Sequence, residues 1–159
     1  MLELDPRLTV IPLPALLRHA RAAYGAAMRG ALEAAGYDDI PKNGLYVLGG
    51  LALGDGDIPL AALIRGLRIS KQAAGQLVDA LVSRGYLSRA VDEQDRRRLV
   101  VALTERGRAA AATQAAARER IDSALLAKVG PECVEHTRLA LATLAGMAPW
   151  GEPAPTEET

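Results

Sequence analysis

Apolar residues recur every three or four positions along most of this chain, which is the pattern of helices that pack through one face. The pattern predicts an amphipathic helix over residues 14–35, which Gly36 ends. A second, more apolar helix is predicted from about residue 41 to residue 53, with Asp39 as its N-cap. Residues 1–11 lack this period and are expected to be irregular, so the first third of the chain is predicted to be two helices.

Two short helices joined by a tight turn are predicted next. A helix over residues 59–65 leads through Gly66 to Ser70, which can cap a helix over residues 71–84 that Gly85 closes. Its expected inward face consists of Ala74, Leu77, Val78 and Leu81. Two helices joined by a turn of about four residues with a glycine form a helix-turn-helix. Many helical proteins contain such a corner, so the elements that follow decide its meaning.

After this corner the helical period gives way to alternation. The segments "YLSRAVD" and "RLVVALT" alternate along their length, which predicts two strands joined by the loop "EQDRR". Thr104 is the expected N-cap of a long Ala-rich helix. The pair Gly130 and Pro131 breaks this helix, and a last helix is predicted to about residue 147.

Composition agrees with a helical protein. Half of the 159 residues are apolar, and the chain has no Phe and one Trp. Such a chain can form a sizeable core, and its Ala and Leu suit packed helices better than a large sheet. The expected fold class is therefore mainly α with a small β wing, a winged helix-turn-helix flanked by helices at both ends.

Charge is distributed unevenly in a chain whose net charge is zero. Residues 65–108 contain ten Lys or Arg and five Asp or Glu, a local net charge of +5 that the rest of the chain balances. Three consecutive arginines, Arg96, Arg97 and Arg98, lie at the tip of the predicted hairpin. A basic patch of this kind indicates a nucleic-acid contact, whereas an isolated arginine run is usually a solvated loop.

The predicted helix after the turn carries side chains suited to base edges. A helix fits the major groove, and the residues of its first turns reach the bases. The expected contacts are Ser70, Lys71, Gln72 and Gln76, which alone could also be ordinary exposed helix residues. Arg89 is expected either to touch phosphate rather than a base or to be an ordinary surface residue of the strand. The arginine tip is expected to reach the flanking minor groove, where a narrow groove concentrates negative potential.

Two segments resemble one known family. "DRRRLVVALTERGR" and "LVDALVSRGYLSR" are similar to the wing and the recognition helix of MarR-type (multiple antibiotic resistance regulator) transcription factors. In the family's wing signature an Asp and, two residues later, an Arg precede a strand that ends in Leu-Thr, followed by a Gly. The matching residues here are Asp95, Arg97, Leu103, Thr104 and Gly107. The resemblance spans roughly residues 45–108.

The resemblance implies a homodimer whose terminal helices intertwine and whose two winged domains bind a palindromic double-stranded DNA operator. It implies that Arg97 enters the minor groove, that Asp95 holds the guanidinium of Arg97, and that the helix from Ser70 lies in the major groove. The regions expected are an N-terminal dimerisation helix (1–36), the winged helix-turn-helix domain (37–108), C-terminal dimerisation helices (109–148) and a disordered acidic tail (149–159).

The function expected is that of a dimeric, sequence-specific DNA-binding regulator, a ligand-responsive repressor. One alternative is a small-molecule or stress sensor whose DNA binding is secondary. Family members often bind aromatic or phenolic compounds, for which the residues here would be His19, Tyr24, Tyr46 and Leu51, although these could equally be dimer core. Another alternative is a winged helix used only for protein contacts, which would leave the arginine tip without a role.

Other classes of protein lack their signals in this sequence. The single Cys133 cannot form an internal disulfide and fits a reducing cytoplasm. Charge-free stretches are too short to span a bilayer, and no signal peptide is recognisable, so a cytoplasmic protein without a membrane partner is expected. No nucleophile–base pair, phosphate-binding glycine loop or metal-ligand cluster occurs, so neither an enzyme nor a cofactor is expected.

Overall fold

The computed structural model describes residues 5–54, 57–67 and 69–147. The expected disordered tail (149–159) and part of the predicted turn at 54–57 lie outside these residues. The described residues divide into two compact units, one within residues 5–121 and one of residues 122–147. Among the described residues no helix is both long and apolar enough to cross a membrane.

Helices dominate the described chain, with one small antiparallel sheet. The helices are α1 (Pro6–Thr9), α2 (Leu13–Ala34), α3 (Gly44–Ala52), α4 (Leu60–Gly66), α5 (Lys71–Ser83) and α6 (Glu105–Gly146), and the strands are β1 (Ile58–Pro59), β2 (Leu87–Val91) and β3 (Leu99–Leu103). The mainly α fold with a β wing is therefore confirmed.

The expectation of an irregular lead was wrong at α1. Asp5 accepts a hydrogen bond from the backbone N–H of Arg7 at 3.0 Å, and Pro6 occupies the first helical position. An acidic N-cap followed by proline starts a helix, and one turn is too short to show a hydrophobic period.

The predicted cap of α3 was also wrong. The helix begins at Gly44 after Asn43, whose side chain makes no capping hydrogen bond. The carboxylate of Asp39 instead accepts hydrogen bonds from Tyr86 and Arg106, which are distant in sequence. Because these partners lie 47 and 67 positions away in the sequence, a local pattern could not reveal them and indicated only a helix cap at Asp39.

The sheet has the strand order β1-β3-β2, with both pairs antiparallel. Leu87 pairs with Leu103, and Val91 pairs with Leu99, so the predicted hairpin is confirmed. The third strand, β1, pairs Ile58 with Val101 and was not predicted, because two residues are too few to show alternation.

The core of the first unit lies between α3, α5 and the base of the wing. Its largest fully buried side chains are Tyr86, Leu45, Leu48, Leu81, Leu87, Val78 and Val101. All four residues of the predicted inward face of α5 are buried. That face anchors α5 and leaves its opposite face in solvent, which is the arrangement a groove-binding helix needs.

Close packing joins α3 to α6. A side chain at Gly49 would place its Cβ atom 2.7 Å from Nε2 of Gln114, which is nearly fully buried. Gly49 therefore marks a close approach of the two helices.

The predicted break in the last helix is confirmed at Gly130. Its backbone has φ 80° and ψ 164°, which is not helical, and Pro131 follows it within α6. In the second unit the described residues 122–147 are helical on both sides of this break.

The start of α6 is held tightly against the start of β2. Thr104 caps the helix, because its Oγ1 accepts the N–H of Gly107 at 3.0 Å, and its own N–H donates to the carbonyl of Tyr86 at 3.0 Å. A Cβ atom on Gly107 would overlap that carbonyl oxygen. Only glycine allows α6 to start this close to the wing.

We expect Gly107→Ala to lower the free energy of unfolding by about 3 kcal/mol, because the added Cβ displaces the backbone at the wing base. Gly30→Ala is the matched control, since Gly30 is helical and a Cβ atom there would meet nothing within 4 Å. The control should raise stability by about 0.5–1 kcal/mol. Chemical denaturation at one protein concentration measures both, and equal effects of the two substitutions would contradict the proposed contact.

Candidate nucleic-acid interface

The first turns of α5 are presented to solvent by a capped helix start. Oγ of Ser70 accepts the N–H of Ala73 at 3.2 Å, so the predicted cap is confirmed. Lys71, Gln72 and Gln76 are exposed. The predicted base-contacting residues therefore share the open face of the helix.

Hydrogen bonds order the loop at the wing tip. The N–H of Asp92 donates to the carbonyl of Arg98 at 2.9 Å, and the N–H of Arg98 donates to the carbonyl of Asp95 at 2.8 Å. The Asp92 carboxylate also accepts the N–H of Gln94 at 2.9 Å. The side chains of Arg96, Arg97 and Arg98 are exposed at this tip.

Asp95 contacts a different part of Arg97 from the one expected. Its carboxylate accepts the backbone N–H of Arg97 at 3.0 Å, and no hydrogen bond joins it to the guanidinium of Arg97 in the described residues. An aspartate side chain readily accepts from the N–H two residues later, which closes a tight turn. Asp95 thus orders the backbone that carries Arg97.

Arg89 is paired with a residue that the sequence analysis did not single out. Its guanidinium lies 2.5 Å from the carboxylate of Asp79 on α5. The pair joins β2 to α5 and offsets a negative charge on the recognition helix. A phosphate contact by Arg89 would compete with this ion pair.

The wing and α5 border one cavity of about 620 Å³. Its lining includes Lys71 at the start of α5, Arg97 and Arg98 at the wing, and Arg65 on α4. Four cationic side chains from three elements therefore surround one groove. Arg65 was not predicted, because an isolated arginine at the end of a short helix carries no distinguishing pattern.

Two of the four expected ligand-pocket residues line described cavities, and each lines a different one. Tyr46 lines a cavity of about 410 Å³ between α2 and α3. Leu51 lines a separate cavity of about 330 Å³ beside β3 and α6. Tyr24 packs against the core, and His19 is exposed. A ligand pocket shared by the four residues stays a prediction.

A polar cluster of Asp39, Tyr86 and Arg106, here called the wing-base cluster, supports the wing from behind. The buried Tyr86 hydroxyl donates to the carboxylate of Asp39. The guanidinium of Arg106 lies 3.0 Å from that hydroxyl, 3.1 Å from the carboxylate and 4.6 Å above the Tyr86 ring. The cluster ties the segment before α3 to the start of β2 and to α6.

Contacts within the cluster shift the pKa values of Asp39 and Tyr86. The hydrogen bond from Tyr86, followed by the charge of Arg106, holds the pKa of Asp39 below its usual value, against the opposing effect of burial. Burial and the hydrogen bond to Asp39 raise the pKa of Tyr86. At neutral pH the cluster therefore contains an ionised Asp39 and a protonated Tyr86.

We expect Tyr86→Phe to lower the free energy of unfolding by about 1–3 kcal/mol at pH 7, because it leaves the Asp39 carboxylate without its main donor. The lowered pKa of Asp39 stabilises the fold above the ordinary aspartate pKa of about 3.9, and this stabilisation disappears as the pH falls below that value. Wild type should lose it on acidification, whereas Tyr86→Phe should lose less.

Denaturant titrations of wild type and Tyr86→Phe between pH 7 and pH 3 measure this difference. Tyr37→Phe is the matched control, since the Tyr37 ring packs on Tyr86 at 6.2 Å without a hydroxyl contact to Asp39 in the described residues. A gap between wild type and Tyr86→Phe that is the same at both ends of the pH range would contradict the ionised hydrogen bond.

Solved structures share this fold at low sequence identity. FabT of Streptococcus pneumoniae in complex with DNA is 16% identical with a TM-score of 0.72, covering 84% of this chain and 92% of that one. A mutant of MepR from a multidrug resistant clinical isolate of S. aureus is 20% identical with a TM-score of 0.68, covering 86% and 96%. BpsR of Bordetella bronchiseptica is 20% identical with a TM-score of 0.65, covering 86% and 95%.

Comparison with family models adds evidence from the sequence itself. The MarR family model matches residues 39–98, which include the helix-turn-helix and the wing tip. A comparison with curated protein sequences finds no match. The resemblance to MarR-type regulators is thus confirmed, with residues 39–98 as the MarR family domain of a chain that has the fold of these proteins.

Proposed function

We propose that this chain is a homodimeric transcription regulator, a ligand-responsive repressor that binds a palindromic DNA operator. The observation that carries the proposal is the convergence of Lys71, at the start of α5, with Arg97 and Arg98 of the wing on one groove. Phosphate neutralisation by such a basic face supplies affinity, and the helix side chains supply selectivity.

The major-groove contacts in this proposal come from α5. Gln72 and Gln76 lie one turn apart on its exposed face, so both can address one groove. Each glutamine can pair with the N6 and N7 atoms of an adenine. Lys71, beside them, would donate to guanine or to phosphate.

The minor-groove contact comes from Arg97, with Arg96 and Arg98 beside it on the exposed tip. Asp95 acts as a positioning residue, because its hydrogen bond to the Arg97 backbone orders the loop before DNA binds. A pre-ordered loop loses less conformational entropy on binding.

Two of the structural relatives bind DNA. FabT is solved in complex with DNA, and the DNA binding of BpsR is regulated by 6-hydroxynicotinic acid. These facts support DNA binding and control by a small aromatic ligand as the functions to test in this chain.

Exposed apolar side chains support a homodimer. In the second unit the residues Leu125, Leu126, Leu139, Leu141, Leu144 and Met147 are exposed, and in the first unit Leu13 and Leu16 of α2 are exposed. Apolar faces of this extent mark interaction surfaces. The proposed partner is a second copy of the chain, through an interface of roughly 2,000 Å² or more, as obligate dimers have.

We expect Arg97→Ala to weaken operator binding and to flatten its dependence on salt. Each lost phosphate-like contact should lower the log–log slope by about 0.9, and a symmetric dimer loses two. Arg120→Ala is the matched control, since Arg120 is exposed on α6 away from the wing and the charge change is the same. Fluorescence anisotropy at several salt concentrations measures both.

Asp95→Ala should also weaken operator binding although it removes a negative charge, because the loop that carries Arg97 loses its order. It should add little to Arg97→Ala, and this non-additivity distinguishes positioning from direct contact. Tighter binding by Asp95→Ala together with an unaffected Arg97→Ala would show that the tip is only a solvated loop.

We expect a dimer in sedimentation at micromolar concentration. The double substitution Leu141→Glu and Leu144→Glu should weaken the dimer by at least about tenfold, because charges would be buried without partners. Leu53→Glu is the control, since Leu53 is 78% exposed in the first unit. A folded wild-type monomer, or equal effects of these substitutions, would contradict the assignment of the interface.

A further inference from the structure

A second basic surface lies on the first unit, between α2 and α3. It is a cavity of about 410 Å³ lined by Arg18, Arg21, Ala22, Gly25, Ala26, Arg29, Lys42, Asn43 and Tyr46. Four of these nine residues are cationic and none is acidic. In a chain of zero net charge, such a one-sided lining indicates an anionic occupant.

The arginines form a stripe along one side of α2. Arg18, Arg21 and Arg29 are spaced by three and eight residues, and the small residues between them leave room above the helix. From the first to the last of these arginines the helix rises about 16 Å, which is longer than a single phosphate group. The stripe therefore suits an extended anion with several charged groups.

None of the four cations forms a salt bridge within the described residues, and the hydrogen bond found among them joins Nε of Arg21 to the Tyr46 hydroxyl at 3.4 Å. Arg18 and Arg21 are three residues apart, and like charges at this spacing on a helix are destabilising. A bound anion would remove this repulsion.

One of the arginines is already oriented. The guanidinium of Arg21 stacks 4.6 Å above the ring of Tyr46. The two helices lie close together here, since a Cβ built on Gly25 would be in ordinary contact with the Tyr46 hydroxyl at 3.5 Å. Stacking restricts the Arg21 side chain, so the side chain loses less conformational entropy when its N–H groups donate hydrogen bonds to an oxyanion.

We propose that this cavity is a binding site for a small molecule that carries several phosphate groups. The cationic residues of the cavity come from two segments, the arginine stripe on α2 and Lys42 just before α3. The oxygens of tetrahedral phosphates point in three dimensions and can contact both segments, whereas a planar carboxylate pairs with one arginine fork. The site could act as an effector site for the regulator, and that role rests on the proposed function, whereas the binding itself does not.

Dimerisation through the exposed leucines of α2 would leave two of the three arginines accessible. At 3.6 residues per turn, Arg18 and Arg29 lie on the order of 150° around α2 from Leu13 and Leu16, whereas Arg21 lies about 80° from Leu13. Arg18 and Arg29 thus lie on the side of the helix opposite these two leucines.

Calorimetric titration of the full chain with sodium tripolyphosphate tests the site, in phosphate-free buffer at constant ionic strength. We expect saturable binding of one tripolyphosphate per chain, tighter than orthophosphate and citrate by about tenfold or more. Arg21→Gln with Arg29→Gln should weaken binding by at least about tenfold, since each lost charged hydrogen bond is substantial. Arg120→Gln with Arg138→Gln, an equal charge change on exposed parts of α6, should leave it unchanged.

Lys42→Gln provides a second variant, on the opposite side of the cavity, should the double substitution impair folding. Equal tripolyphosphate affinity in wild type and in the folded cavity variants would overturn the proposal, and so would tighter binding of citrate. The salt dependence of DNA affinity identifies the phosphate source. If the cavity variants leave the slope of log DNA affinity against log salt concentration unchanged, the occupant is a small molecule. If they lower this slope as Arg97→Ala does, the cavity binds the DNA backbone and the proposal is overturned.

Discussion

The carbonyl group of Tyr86 is the point at which the wing is joined to α6. Its oxygen accepts the backbone N–H of Thr104 at 3.0 Å, and Gly107 packs against it without a side chain. The Thr104 hydroxyl donates to the neighbouring carbonyl of Gly85 at 2.5 Å. The side chain of the same residue is buried and holds Asp39 and Arg106. One residue thus fixes where β2 begins and where α6 starts.

This junction matters because the proposed function requires the wing to stand at a set distance from α5. Tyr86 comes shortly after the end of α5 at Ser83, and the ion pair between Arg89 and Asp79 joins β2 back to that helix. The hairpin then carries Arg97 to the groove that Lys71 also borders. Rigid support of this kind gives a flexible arginine a defined reach, which is what shape-specific DNA contact requires.

Electrostatics separates the surfaces of this neutral chain. Cations gather at the wing groove and at the α2 stripe, while the second unit exposes several leucines. Because exposed charges interact only over about 10 Å at ordinary salt, each grouping acts locally in spite of the zero net charge. The average composition of the chain therefore says little about its partners.

Local patterns in the sequence predicted the elements well, and long-range contacts escaped prediction. Ser70 and Thr104 were recognisable as caps, and Gly130 as a break, because each acts on neighbours within four residues. The partners of Asp39 and the β1 strand were missed, since their contacts join residues more than 40 positions apart.

The candidate site shows the same difference between features set by local spacing and features set by long-range packing. Lys71, Gln72 and Gln76 could be assigned to the open face of α5 because helical spacing alone decides it. The atom that Asp95 contacts, the Asp79 partner of Arg89 and the basic stripe beside Lys42 depend on the packing of separate elements. A pattern along the chain cannot reveal which elements meet.

The proposed function requires α5 and the wing to bind one continuous DNA site together. Selection of DNA from random oligonucleotides by the purified protein, followed by hydroxyl-radical footprinting of the enriched sequence, tests it most directly. The account predicts a two-fold symmetric sequence with two major-groove half-sites about one helical turn or a multiple of it apart, and minor-groove protection beside each half-site. An absence of any enriched sequence, or protection of the major groove without the adjoining minor groove, would contradict it.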